Sequence, residues 1–315
     1  MQKAASYLAG CALGALALLA MPAVHAADGK ARVSVKYQAK SSAPARKHAA
    51  ASTRHHADLT AAGTPNLKSS AALVVDLDDG RTIYGKNSQT RTPIASITKL
   101  MTSMVVLDAN LPHEETIYID AADYDSIKHT GSRLGMGTGL PRRDMLRLAL
   151  MSSENRAASS LSRTYPGGTA AFVAAMNRKA AELGMSNTHF VDATGLSSEN
   201  VSTAEDLVKM VKGAYEYPLI REFTTTSAHE VETAAGRSLQ FRNSNGLVRS
   251  STWDIGLSKT GYISEAGRCL VMQAKIAARP VIIVLLDSWG KQTRIGDANR
   301  IKKWLESRME RKPVG

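Results

Sequence analysis

Strand-patterned segments stand at both ends of the globular part of this chain, and helical patterns fill the middle. That order constrains the fold more than any other feature. Residues 71–77 form a β-rich run, followed by Asp79-Gly80 and then Thr82-Ile83-Tyr84, which is a hairpin signal. Helical patterns cover 96–108, 141–151, 155–164, 168–183 and 203–215. Gly184 is placed to stop the 168–183 helix, and Ser202 or Thr203 can cap the one that starts at 203. Strand patterns return from about 238, at 253–260, 268–277 and 280–287, with a turn at Ala278-Arg279-Pro280. A final amphipathic helix covers 295–309. Because a sheet must bury its apolar faces, the two chain ends are expected to build one sheet with a helical region inserted between them. The fold class is therefore mixed α/β.

The termini set the compartment. Lys3 precedes an apolar run from residue 8 to residue 21, Pro22 breaks it, and Val24 and Ala26 are small residues before a cut. This reads as a cleaved secretory signal over 1–26. The run is short for a bilayer span. A lipoprotein box at Leu8-Ala9-Gly10-Cys11 would leave most of the apolar run after the cut. Residues 27–66 read as a disordered linker. Large apolar side chains are nearly absent there, and little surface can be buried to offset ordering entropy. The linker carries seven Lys/Arg against Asp28 and Asp58, a net of +5 within a chain total of +12. Such a tail can adhere to acidic envelope polymers or serve only as a solvated spacer. Nucleic acid is not expected, since no basic motif interleaved with aromatics is present. Once Cys11 leaves with the signal, Cys269 has no disulfide partner, and its strand-like surroundings mark a buried structural thiol. The globular domain is then 67–315.

Three short motifs stand in order within it: Ser96-Ile97-Thr98-Lys99, Ser153-Glu154-Asn155 and Lys259-Thr260-Gly261. Serine acyl transfer on an amide needs a nucleophile, a base, a proton for the leaving amine and an oxyanion site. Ser96 and Lys99, three residues apart, share a helix face. Ser96 would sit at a helix N-terminus, with Pro93 just upstream. Lys99 can act as a base only if its pKa falls, through burial and a second cation, for which Lys259 is the natural choice. Gly261 is expected to let substrate backbone approach the strand. A second Ser-Ser-Glu-Asn stands at 197–200. It leads into Val201-Ser202-Thr203 and is read as a cap of the next helix, whereas the first copy lies in a tight loop between helices. Neither a metal nor a cofactor is expected: His113, His129, His189 and His229 have no ligand spacing, and the Gly-rich 131–139 stretch lacks the features of a phosphate loop.

This ordered trio resembles the motif set of penicillin-binding proteins and class A β-lactamases. The stretch from Pro93-Ile94-Ala95-Ser96 to Leu100-Met101-Thr102 is similar to low-molecular-mass penicillin-binding proteins, as are Leu183-Gly184-Met185 and Phe190 through Gly195-Leu196. The run Leu148-Ala149-Leu150-Met151-Ser152-Ser153-Glu154-Asn155-Arg156-Ala157-Ala158 resembles their D-alanyl-D-alanine endopeptidase branch; the carboxypeptidase branch usually has Gly where Glu154 stands. The resemblance covers roughly residues 67–305. It implies a β-lactamase/transpeptidase-like antiparallel sheet flanked by helices. It implies Ser96 as nucleophile, Lys99 as base, and Ser153 as proton donor to the leaving amine, with Lys259 holding that network. Asn155 and Thr260 would bind the peptide and the carboxylate beside the scissile bond, and the N–H groups of Ser96 and Tyr262 would form the oxyanion hole. The partners it implies are peptidoglycan stem peptides, and β-lactam antibiotics as covalent inhibitors.

Three rivals stand beside this expectation. A class A β-lactamase would add a Glu-x-x-Leu-Asn loop between Asn155 and Lys259, and none occurs. A carboxypeptidase of the same family typically carries a further β domain, for which the residues after Gly261 are too few. A non-catalytic peptidoglycan-binding module would need no serine–lysine pair.

Overall fold

The computed structural model of the protein describes residues 58–310. The expected signal over 1–26, and all of the 27–66 segment before residue 58, lie outside the described residues. Five strands make the main sheet: β1 (Ser69–Asp76), β2 (Thr82–Lys86), β3 (Asp254–Ile263), β4 (Gly267–Ile276) and β5 (Arg279–Ser288). Their order across the sheet is β2-β1-β5-β4-β3, and all neighbours run antiparallel. The N-terminal strand thus pairs with the last one, Ser69 opposite Ser288 and Asp76 opposite Val281, which joins the two chain ends as the strand–helix–strand order requires.

Alternation along the strands divides the interior into two cores. Ala71, Leu73 and Val75 point with Ile282, Val284 and Leu286 into one. Ala72 and Val74 point with Val281, Ile283 and Leu285 into the other. Successive side chains leave a strand on opposite faces, so a sheet covered on both sides reads as a continuous apolar run. The first face carries helices α1 (Lys99–Asp108), α2 (Arg142–Met151), α3 (Asn155–Arg163), α4 (Gly168–Glu182), α5 (Ala204–Tyr215) and α6 (Pro218–Thr225). The second carries α7 (Thr293–Glu310), through Ala298, Ile301, Trp304 and Leu305. Helix α1 is buried from Lys99 through Val106, so it forms the spine of the helical region.

Among the elements not anticipated from the sequence are helix α6 and the hairpin Ala228–Glu232/Ser238–Arg242. The hairpin alternates Val231, Leu239 and Phe241 inward with charged residues outward. The expected linker also ends earlier than residue 66. Leu59 bridges Pro65, Trp304 Nε1 donates to the Gly63 carbonyl at 2.9 Å, and Arg300 meets Asp58 at 3.2 Å. The partners that order this stretch lie some 240 residues away, at the far end of the chain, so local composition could not reveal them. No helix among the described residues is long and apolar enough to cross a membrane.

Candidate active site

Ser96 occupies a 3-10 turn, Ala95–Thr98, just before α1, rather than the first turn of the α-helix itself. Ala95 holds φ at +48°, a left-handed conformation that non-glycine residues adopt at a cost of about 1–3 kcal/mol. The surroundings enforce it. A Cβ on Gly195 would fall 2.0 Å from the Ala95 carbonyl oxygen, and one on Gly261 would meet the Ile94 oxygen at 2.9 Å and Ser96 N at 3.1 Å. The Ser96 segment crosses Gly261 closely, so a side chain there would collide with backbone whether or not substrate is bound.

The Lys99 ammonium lies 2.8 Å from Ser96 Oγ, 2.7 Å from Asn155 Oδ1 and 2.6 Å from the Thr194 carbonyl. Burial pushes its pKa down from 10.5 to about 7, with Asp192, Glu154 and Asp125 pulling the other way. A neutral amine has two N–H groups and one lone pair. With the N–H groups donated to Asn155 and Thr194, the lone pair is left facing the Ser96 hydroxyl. Lys99 and Lys259 repel each other, so both cannot readily carry a charge. The pKa of Lys259 is well below the usual lysine value through burial first, then Lys99, then Arg294. Burial is the leading cause of the fall at Lys99, and the coupling between the two lysines is the one expected from the sequence.

Ser153 sits between α2 and α3 with φ at +65°, and Lys259 Nζ donates to its Oγ at 2.8 Å. Asn155 Nδ2 donates to Thr130 Oγ1 at 2.9 Å, and Thr130 Oγ1 donates to Asp125. The Asn155 amide thus orients Lys99. Glu154 turns away from the serines; its two oxygens both accept from Ser132 Oγ at 2.9 Å. Thr260 Oγ1 donates to Ser244 Oγ at 2.7 Å. The motif Lys259-Thr260-Gly261 lies on β3, an edge strand of the sheet, and an edge presents unpaired N–H and C=O groups to an extended peptide. The Tyr262 side chain is exposed. Ser96, Lys99, Ser153, Asn155, Lys259, Thr260, Gly261 and Tyr262 therefore come together around one cleft.

The sequence reading missed several residues here. Arg294, in the first turn of α7, donates to the Gly261 carbonyl at 3.0 Å and adds a cation beside Thr260; nothing in its local sequence marks it. Asp192 folds the next loop by accepting from Thr194 N, Gly195 N and Ser197 N, an Asx-type turn that Asp followed by Thr-Gly could have signalled. Asn200 does not cap a helix; Thr203 caps α5. Asn200 is fully buried, accepts from Val191 N and Asp192 N, and donates to Thr98 Oγ1 and the Asp192 carbonyl. It pins the loop whose Thr194 carbonyl holds Lys99. Asn200→Ala strands two buried N–H donors at about 1–3 kcal/mol each. Urea unfolding is expected to show a loss of roughly 2–5 kcal/mol on that basis, above the ~0.5–2 kcal/mol of a lost cap. A loss below about 1 kcal/mol would contradict the pinning role.

The comparisons agree with this geometry. The model of peptidase family S11, D-alanyl-D-alanine carboxypeptidase, matches residues 58–290. A D-alanyl-D-alanine endopeptidase of Pseudomonas aeruginosa is 49% identical over 253 residues, covering 78% of this chain and 81% of that protein. One of Escherichia coli K12 is 47% identical over 250 residues, covering 79% and 80%. The D-alanyl-D-alanine carboxypeptidase of Streptomyces sp. strain K15 is 31% identical over 271 residues, covering 81% and 93%. The crystal structure of the Streptomyces K15 DD-transpeptidase superposes with a TM-score of 0.71 at 29% identity, over 76% of this chain and 97% of that one. The chain belongs to the S11 family of serine D-alanyl-D-alanine peptidases.

Proposed function

We propose that this protein is a DD-endopeptidase that hydrolyses D-alanyl cross-links between peptidoglycan stem peptides through an acyl-enzyme on Ser96. The observation that carries the reading is the unbroken contact from Ser96 Oγ through Lys99 Nζ to Asn155, beside a second pair, Lys259 and Ser153, at an open sheet edge. Neutral Lys99 takes the Ser96 proton as Oγ bonds to the D-Ala carbonyl carbon. The N–H groups of Ser96 and Tyr262 stabilise the oxyanion. As the C–N bond breaks, Ser153 gives its proton to the leaving amine, Lys259 restores it, and the proton that Lys99 took returns to Lys259, which leaves Lys99 neutral again. Thr260, with Arg294 beside it, binds the carboxylate next to the scissile bond. Water then attacks the ester, with Lys99 again as base, and frees Ser96. A β-lactam acylates the same oxygen as its ring opens.

Endopeptidase rather than carboxypeptidase activity is favoured by the higher identity to the two endopeptidases, 49% and 47%, than to the Streptomyces carboxypeptidase, 31%. Secretion to the periplasm fits the signal-like 1–26, and the basic 27–66 stretch would touch acidic envelope polymers. Incubation of the protein with a cross-linked muropeptide dimer and with a monomeric pentapeptide, read by mass, tests the choice. The dimer is expected to split. Release of D-Ala from the pentapeptide with the dimer intact would make the enzyme a carboxypeptidase.

A further inference from the structure

We infer that an open cavity beside the catalytic loop is the subsite for the leaving strand of a cross-linked stem peptide, with Arg242 and Arg133 as its anion-binding groups. The inference rests on the endopeptidase reading and says where the second strand goes. The cavity is about 450 Å³ and is lined by Ser132, Arg133, Ser152, Glu154, Phe241 and Arg242. That volume lies within the ~300–1,000 Å³ of ordinary small-ligand sites.

Connectivity sets its position. Ser152 and Glu154 flank Ser153, the group placed to protonate the leaving amine. On the opposite wall, Phe241 and Arg242 end a hairpin strand that continues directly to Ser244, whose Oγ accepts from Thr260. Ser244 N also donates to the Met151 carbonyl at 2.8 Å, which ties that wall to the base of the catalytic loop. The cavity thus opens between the group that serves the leaving amine and the group that serves the carboxylate beside it. A chain attached to that amine and carboxylate can continue into this space.

The lining matches the groups that a cross-linked substrate would place there. The leaving group is the amine of a diamino acid, so an apolar methylene chain comes first and then the further carboxylates of the second stem peptide. Phe241 supplies an apolar wall. Arg133 lies over the Phe241 ring, 4.9 Å from its centroid, and donates to the Gln240 carbonyl without a carboxylate partner. Arg242 is exposed, and its guanidinium has no hydrogen bond or ion pair among the described residues. The one carboxylate in the lining, Glu154, is already bound by Ser132 Oγ and Arg133 N. Both guanidinium groups are therefore available to incoming carboxylates, which they can hold by charge-assisted, bidentate hydrogen bonds.

The test compares two substrates that share Ser96 chemistry and differ in the leaving strand: a cross-linked muropeptide dimer and a fluorescent penicillin. Arg242→Glu is expected to lower the ratio of dimer cleavage to penicillin acylation by about tenfold, mainly through KM. Arg237→Glu, which makes the same charge change in the turn of the same hairpin but outside the cavity, should leave the ratio unchanged. Equal losses on both substrates, or an equal effect of Arg237→Glu, would overturn the assignment. Penicillin labelling also reports folding; if Arg242→Glu fails to label, Arg242→Gln and Arg133→Gln are read in the same way. A second arm uses the unaltered protein with a dimer whose leaving-strand carboxylates are amidated beyond the scissile bond. Its KM should rise by a comparable factor, and an unchanged KM would sink the proposal. If the unaltered protein leaves every dimer intact while it releases D-Ala from a pentapeptide, the endopeptidase reading itself has failed, and that result precedes any variant.

Discussion

Ser96→Ala is expected to abolish covalent labelling by a fluorescent penicillin while the protein stays folded. The acyl-enzyme requires an oxygen nucleophile at this point in the cleft, and the substitution removes it. The structural cost is small. Ser96 is only partly buried, and its hydroxyl meets Lys99 alone, so stability should change by about 1 kcal/mol, the ordinary net worth of one hydrogen bond. Ser153 is not placed to take over, because its Oγ accepts from Lys259 rather than lying against Lys99. Circular dichroism and urea unfolding check the fold, and gel fluorescence checks the label. Labelling that persists in the folded variant would remove Ser96 as the nucleophile.

Lys99→Arg is expected to slow acylation by about 10²–10⁴-fold, the usual worth of a positioned general base. Arginine keeps the positive charge and can still donate to Asn155 and Thr194, but it does not give up a proton at any accessible pH. The unaltered enzyme should show an acylation rate that rises with pH through about 7, the value to which burial lowers Lys99. Below that pH the amine is protonated and the rate falls about tenfold per unit. In Lys99→Arg this limb should vanish. A limb that survives unchanged would assign the base to another group.

The same shift acts on stability. The folded pKa of about 7 lies below the unfolded value of 10.5, so between them the unfolded chain binds more protons than the folded one. The contribution of Lys99 to stability therefore improves as pH rises from about 7 towards 10.5, and is at its least favourable below that window.

Several features were legible without tertiary structure, each for a local reason. Strand runs at both chain ends require one sheet, because no other arrangement buries them, and β1 does pair with β5. Helix boundaries could be read from period and from stop residues such as Gly184. The two copies of Ser-Ser-Glu-Asn could be told apart because only the first lies in a tight loop that directly joins two helices. The motif residues stand in chain order, and the structure links Ser96, Lys99 and Asn155 in one set of hydrogen bonds and Ser153 with Lys259 in another.

What the sequence left open depends on contacts between distant segments. Asn200 reads as a cap until the 190s loop folds onto Thr98 and buries it. The sequence does not show that the Ser96 turn crosses Gly261 closely enough to exclude any side chain. Residues 58–66 read as linker until Trp304 and Arg300 arrive from the other end of the chain. Arg294 has no local signature because its partner is a backbone carbonyl 33 residues away. The pKa of Lys99 depends on how completely the fold removes water, which no residue spacing encodes. Pattern and propensity act over a few residues and so determined the elements and the chemistry they carry. Burial and close approach act across the whole chain, and only the tertiary structure decided which of those groups are charged, constrained or available to substrate.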